Sequence, residues 1–363
     1  MAERLSLSRW DEWYDIGSWQ DPRLFHADPS DRVLVCPSHL GNGYYQQIFL
    51  DDDITLVILD YEVHHDLVLD IPGDCSGIEF EFQLAGPRPG HSFLEFYFGM
   101  PSMTVMRARK RYFKVEIFFG PSKLNNYYFQ AILKRFTSRD QRVVNSLLKA
   151  LYRSCGGGHS PSQATLLKRI FATNKTLNDA LFKHLVSKEL FDELLNISYA
   201  ARSPITKAMQ SLIEQILSCP HSGSARRCYL KQKAMELVDL RLNAMTHPRL
   251  PFDELNHVYQ AATMLRENLT NPPTVETLAR QIGTNRLKIN QGFRQVYGTT
   301  PYGYLRDYRL IQARQLLLTS ELSIDEVATA VGYSSRSRFA TAFRKGIGIN
   351  PKTFQMQTWH YAS

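Results

Sequence analysis

"IDEVATAVGYSSRSRFATAFRKGIGINPKTF", residues 324–354, decides the fold of the C-terminal part of this 363-residue chain. It gathers Arg336, Arg338, Arg344 and Lys345 around Phe339 and Phe343, with no acidic residue between 332 and 348. Alone it could be any basic amphipathic helix. A partner upstream changes that reading: "LARQIG" (278–283) matches "VATAVG" (327–332), and "FRQVYGTTP" (293–301) matches "FRKGIGINP" (343–351), at offsets of 49 and 50 residues. Each copy has an apolar residue and Ala, Gly four residues after that Ala, and then a second helix ending in F-R-x-x-(Y/I)-G-x-x-P. A small residue at a helix crossing, a turn glycine and a helix behind it make a helix-turn-helix.

Local chemistry sets the boundaries. Ser323 with Glu326 makes a capping box, and Thr274 after "NPP" caps the corresponding first helix. Gly298 and Gly348 stand where left-handed caps are wanted, with Pro301 and Pro351 as stops. Between the copies, "YGYLRDYRLIQARQLLLTS" (302–320) spaces its apolar residues for one continuous connecting helix.

These motifs resemble the AraC/XylS family of transcription regulators over roughly residues 255–356. More narrowly, "SPITKAMQSLIEQILSCPHSGSARRCYLKQKAMELVDL" (203–240), with "RLKINQGFRQVYGTTPYGYLR" (286–306), resembles its PchR-like, siderophore-responsive branch. The resemblance implies a sequence-specific regulator of double-stranded DNA, an activator of siderophore and iron-acquisition genes. It further implies a ferric siderophore as effector rather than a bound cofactor, contact with RNA polymerase, and a possible homodimer.

In the first unit Ile289, Phe293 and Val296 form a buried stripe. Asn and Gln amides can bridge an adenine edge, and Arg can grip guanine. The family pattern assigns base contact to Leu287, Asn290 and Gln291, and in the second unit to Arg336, Ser337 and Thr341. Lys288, Arg294, Arg338, Arg344 and Lys345 are the expected phosphate contacts. Two positions depart from the pattern: Gly292 replaces a bulkier apolar residue, and Thr341 stands where the family often has Arg. Two readers side by side cover about 20 base pairs.

From Val33 to Phe119, runs such as "ITLVILDYEVHHDLVLDI", "GIEFEFQLAG" and "YFKVEIFFG" alternate with turn formers, predicting an antiparallel β domain. The expected fold is α+β: an N-terminal antiparallel barrel or cupin-like sensor (1–135), a helical linker or dimerisation region (136–250), and an all-α domain of two helix-turn-helix units (251–363). The stripe of Tyr229–Met245 suits either a core helix or a dimer helix. Ligand-binding candidates are Tyr44, His64, Arg107, Arg109 and Arg111. The three arginines are expected on one strand face, either for an anionic ligand or as a basic edge. His64 and His65, adjacent on a strand, would point to opposite faces, which argues against a two-histidine metal site.

Charge differs by region: 13 Lys and Arg against 19 Asp and Glu over 1–135, 17 against 8 over 136–250, and 13 against 8 over 251–363. A polyanion is therefore expected on the second half. Five scattered cysteines read as reduced thiols, and no apolar run approaches the roughly 20 residues a membrane helix needs, so a soluble cytoplasmic protein is expected. No metal is expected. The alternatives are a cupin-type metal-dependent enzyme fused to a DNA-binding tail, which lacks an H-x-H cluster, and a regulator of another catabolic or stress pathway. With no phosphate loop and no G-x-S-x-G elbow, enzymatic activity is not expected.

Overall fold

The computed structural model describes residues 3–71, 76–98, 102–120, 203–246 and 250–358, with a few positions between 134 and 149. The chain divides into a sheet unit, residues 5–104 and 108–247, and a helical unit, residues 248–363 with 1–4 and 105–107. Among the described residues no helix is long and apolar enough to cross a membrane.

In the sheet unit the alternating runs become strands, including β4 (Gly41–Asp51), β5 (Ile54–Val63), β7 (Ser76–Ala85), β8 (His91–Phe98) and β10 (Arg111–Phe119). With β2 (Asp15–Ile16), β3 (Arg32–Val35) and β11 (Ser203–Pro204) they make an eight-stranded sheet in the order β11-β8-β7-β10-β5-β4-β3-β2. Short β1 (Glu3–Ser6), β6 (Leu67–Ile71) and β9 (Ser102–Met106) are not part of this sheet. The expected closed barrel is not what the pairing gives: β2 and β11 end the order without pairing to each other, so the large sheet is open. Acidic Asp51–Asp53 make the tight connection of β4 to β5, with Asp51 registered opposite Ile54.

One face of this sheet carries Tyr44, Ile48, Leu56, Ile58, Phe80, Phe82, Val115 and Ile117. It shares a core with α1 (Lys207–Leu217) and α2 (Gly223–Thr246), through Met209, Ile213 and Ile216 and through Leu230, Ala234, Leu237, Val238 and Leu242. The α2 stripe is therefore occupied by the sheet and is not available to a partner helix, and the described part of the expected linker has no core of its own. A buried pair anchors α2: Arg226 donates to Asp31 at 2.8–2.9 Å and to His26 Nδ1 at 2.9–3.0 Å. Burial and Arg226 lower the His26 pKa, keeping the ring neutral as an acceptor.

The helical unit runs α3 (Phe252–Glu267), α4 (Val275–Ile282), α5 (Arg286–Tyr297), α6 (Pro301–Thr319), α7 (Ile324–Ala330), α8 (Arg336–Ile347) and α9 (Pro351–Thr358). Thr274 caps α4, and Ser323 with Glu326 forms the capping box of α7. Gly298 closes α5 at φ 67°, and Gly348 closes α8 at φ 115°, conformations that favour glycine. The repeat extends into the packing. Phe293 meets Tyr304 edge-on at 5.7 Å and 74°, and fifty residues later Phe343 meets Phe354 at 5.5 Å and 76°.

Candidate nucleic-acid interface

In each reader a short helix holds a second helix whose aromatic side faces inward. On α5, Ile289, Phe293 and Tyr297 are buried, while Leu287, Lys288, Gln291 and Arg294 are exposed. Leu287 is 64% exposed, and an apolar side chain in solvent can meet a thymine methyl. Asn290 is half-buried, and its amide donates to the Arg286 carbonyl at 2.9 Å. On α8, Phe339 and Phe343 are buried, while Arg336, Ser337, Arg338, Thr341, Arg344 and Lys345 are all exposed.

Sequence reasoning missed how some of these cations are held. Arg336 pairs with Asp325 at 3.1 Å, and Arg286 pairs with Glu276 at 3.0 Å. In both readers the first residue of the second helix is thus tied to the second residue of the helix before it. The repeat already contained this signal, because Glu276 and Asp325 are 49 residues apart and Arg286 and Arg336 are 50 apart. Lys288 pairs with Glu254 at 2.9 Å.

Arg309 of α6 ties the turn of the second reader to the segment between α3 and α4. Its Nε donates to the Leu269 carbonyl at 3.0 Å, its Nη2 reaches the same oxygen, and its guanidinium lies 5.6 Å from the centre of the Tyr333 ring. Gly332 approaches the same carbonyl so closely that a Cβ would sit 2.3 Å from it. Burial lowers the Arg309 pKa from its usual value. Tyr333 is thus a packing residue of the turn. Gly292 has an equally local reason, since a Cβ there would fall 2.3 Å from Val258 Cγ2, so its absence lets α5 press against α3.

The ligand-binding candidates occupy different environments. Arg107, Arg109 and Arg111 do not share a strand face: β9 ends at Met106, Arg109 adopts φ 55° in the following turn, and β10 begins at Arg111. His64 and His65 lie in the turn after β5 rather than on a strand. The structure nevertheless brings Tyr44, His64 and Arg111 together around one cleft of about 420 Å³, with Arg23, Asp60 and Glu62. Arg107 and Arg109 do not line it.

The opposite face of the sheet holds a cluster the sequence reading did not single out. Glu79, Glu81 and Glu116 are buried, with carboxylate oxygens within 4.8 Å of one another. Lys114 reaches Glu81 at 2.5 Å and Glu116 at 3.5 Å. Burial is the main force raising Glu116, to about 7, and it also raises Glu79 well above the usual carboxylate range. Strict Phe/Glu alternation in "EFEF" (79–82) was the available sign of this face.

Comparison with known proteins places these features. The "Helix-turn-helix domain" family matches residues 278–357, and the "Regulatory protein PchR N-terminal domain" family matches residues 176–255. The regulatory protein PchR of Pseudomonas aeruginosa is 38% identical over 128 residues, 33% of this chain and 43% of the relative. Its C-terminal part is thus similar to AraC-type helix-turn-helix domains, and residues 176–255 are similar to the PchR N-terminal domain. The HTH-type transcriptional regulator AlkR of Acinetobacter baylyi is 38% identical over 117 residues, 32% of this chain and 36% of that protein. The matched region therefore spans less than half the length of either relative. The crystal structure of an AraC-type transcriptional regulator from Chromobacterium violaceum aligns over 28% of this chain and 92% of that one, at 29% identity and a TM-score of 0.28. The named relatives are transcription regulators, not enzymes.

Within the AraC-type domain, the departures from the family pattern now have surroundings. Gly292 is fitted to Val258, while Thr341 stands exposed on α8 with a short hydroxyl in place of a guanidinium.

Proposed function

We propose that this chain is a ligand-responsive, sequence-specific DNA-binding regulator that activates siderophore and iron-acquisition genes in response to a ferric siderophore. The observation that carries the DNA-binding part is the duplicated reader, which buries its aromatic residues and leaves amides, hydroxyls and cations outside at repeated positions. Leu287, Asn290, Gln291, Arg336, Ser337 and Thr341 read bases, and Lys288, Arg294, Arg338, Arg344 and Lys345 hold phosphates. The match of 176–255 to the PchR N-terminal family supports the siderophore effector. In this reading residues 1–135 form a β-rich sensor, 136–250 link it to the DNA-binding region 251–363, and the protein works in the cytoplasm with RNA polymerase, as a monomer or homodimer.

Selection from random duplexes with the full chain is expected to return a site of about 20 base pairs. Gln291→Ala and Arg336→Ala are each expected to weaken that site by about 1–3 kcal/mol while sparing nonspecific binding. Equal losses on selected and random duplexes overturn base reading. Calorimetry with a panel of ferric siderophores tests the effector, and absence of heat across the panel overturns it.

A further inference from the structure

We infer that the cleft formed by β4, β5 and the start of β10 is a binding site for a small monocarboxylate. The inference rests on the sensor reading only for its regulatory consequence, because binding itself is tested without DNA.

The argument starts from Tyr44. Its side chain lines the cleft, yet the residue is only 1% exposed, and its hydroxyl is buried without a hydrogen-bond partner. A buried hydroxyl in that condition is unfavourable until an acceptor arrives. Burial keeps the phenol protonated, so it is a donor.

Two arginines line the cleft with it, each held by an aspartate in the same way. Arg23 gives Nε and Nη2 to Asp21 at 2.9 and 2.6 Å. Arg111 gives Nε and Nη2 to Asp60 at 2.7 and 2.6 Å. These bidentate pairs fix both guanidinium planes and turn the Nη1 edges to other partners; Arg23 gives one Nη1 hydrogen to Asn42. A fixed fork beside a buried phenol is the donor set that a carboxylate accepts from without reorganisation of the protein.

The remaining lining sets the ligand's charge. Asp21 and Asp60 neutralise Arg23 and Arg111, and Glu62 adds a further carboxylate to the lining, so the cleft has no net positive charge for a dianion. A singly charged carboxylate gains the hydrogen bonds with less repulsion than doubly charged phosphate, which meets the same lining carboxylates, and a neutral amide lacks the negative charge that strengthens bonds from a guanidinium. The volume of about 420 Å³ falls in the range of small-ligand sites.

The test is calorimetry on the full chain with lactate and benzoate, beside lactamide, benzamide and inorganic phosphate. At least one carboxylate is expected to bind about tenfold or more tightly than its amide and than phosphate. Tyr44→Phe keeps the ring in the core and removes only the hydroxyl. It is expected to weaken that carboxylate at least about tenfold while the thermal midpoint holds or rises. Arg23→Gln, at an exposed position, provides a second loss of donors should Tyr44→Phe misfold. The inference is overturned if neither carboxylate binds, if amide or phosphate binds as well, or if neither substitution weakens binding. None of these outcomes bears on duplex selection, so failure here is separable from failure of the DNA-binding reading.

Discussion

In the helical unit Phe293, Tyr304, Phe343 and Phe354 fill the interior, while Gln291, Arg294, Arg338, Arg344 and Lys345 stand in solvent. In the sheet unit the arrangement is inverted on one face, where Glu79, Glu81 and Glu116 are buried beside half-buried Lys114. Exposed cations keep their hydration and remain available to a polyanion. Buried carboxylates lose it and must be paired or protonated. The same residue classes therefore do different work, and the two units should respond differently to substitution and to pH.

The largest expected effect lies in the aromatic cores. Phe293→Ala and Phe343→Ala should each cost about 3–5 kcal/mol, because each removes a fully buried ring from an edge-on pair. Urea unfolding followed by circular dichroism checks the magnitude, and amide exchange along α5 and α8 locates it. Equal losses support equivalent readers. If Phe343→Ala exposes α5 as fully as α8, the readers fold as one block, as the Arg309 contact to Leu269 and Tyr333 favours.

The inverted face predicts a smaller, pH-dependent effect. Glu116, held at about 7 chiefly by burial, binds its proton more tightly folded than unfolded. Stability from this group is therefore fully present below the unfolded value of about 4.5, falls as pH rises to about 7, and stays reduced above it. Glu79 shifts in the same direction. Asp11, Asp21 and Asp28, whose pKa values are lowered, act in the opposite sense and only at more acid pH. Between pH 5 and 8, Glu116→Gln should gain on the native protein by on the order of 2 kcal/mol. Tryptophan fluorescence can follow this, because Trp10, Trp13 and Trp19, three of the four tryptophans, lie in the sheet unit. An unchanged difference at the two pH values would show that Lys114 alone holds the charge.

What the sequence made legible follows the range of the interactions involved. The readers were visible because caps, turn glycines and the F-R-x-x-(Y/I)-G-x-x-P endings are local and occur twice. The strands were visible from alternation, but whether the sheet closes depends on pairing between β2 and β11, residues far apart in the chain, and no local pattern encodes it. "ITLVILDYEVHHDLVLDI" reads as one run, yet it is broken at His64–Asp66, which moves His64 from a strand face to the lining of a cleft. The α2 stripe was visible, but its partner was not: an apolar stripe fits a sheet as well as a second helix. Arg23 could not have been found, because only the fold carries it from an irregular segment to the side of Tyr44 and Arg111.

The smallest expected effect tests whether the outer charges of the readers are committed to the fold. Arg336 and Asp325 are 55% and 61% exposed, and an ion pair in that position contributes about 0–1 kcal/mol. Asp325 also sits in the first turn of α7, where its charge suits the helix dipole. Asp325→Asn should therefore lower stability by no more than about 1 kcal/mol, while freeing Arg336 and removing a negative charge near the duplex. Binding to the selected site should tighten by a few tenths to about 1 kcal/mol, and the gain should fade as salt is raised. Glu276→Gln, its counterpart beside Arg286, should behave alike if both readers present their first arginine to DNA. Weaker binding by Asp325→Asn would instead mean that the aspartate aims Arg336, making the exposed pair part of the reading geometry.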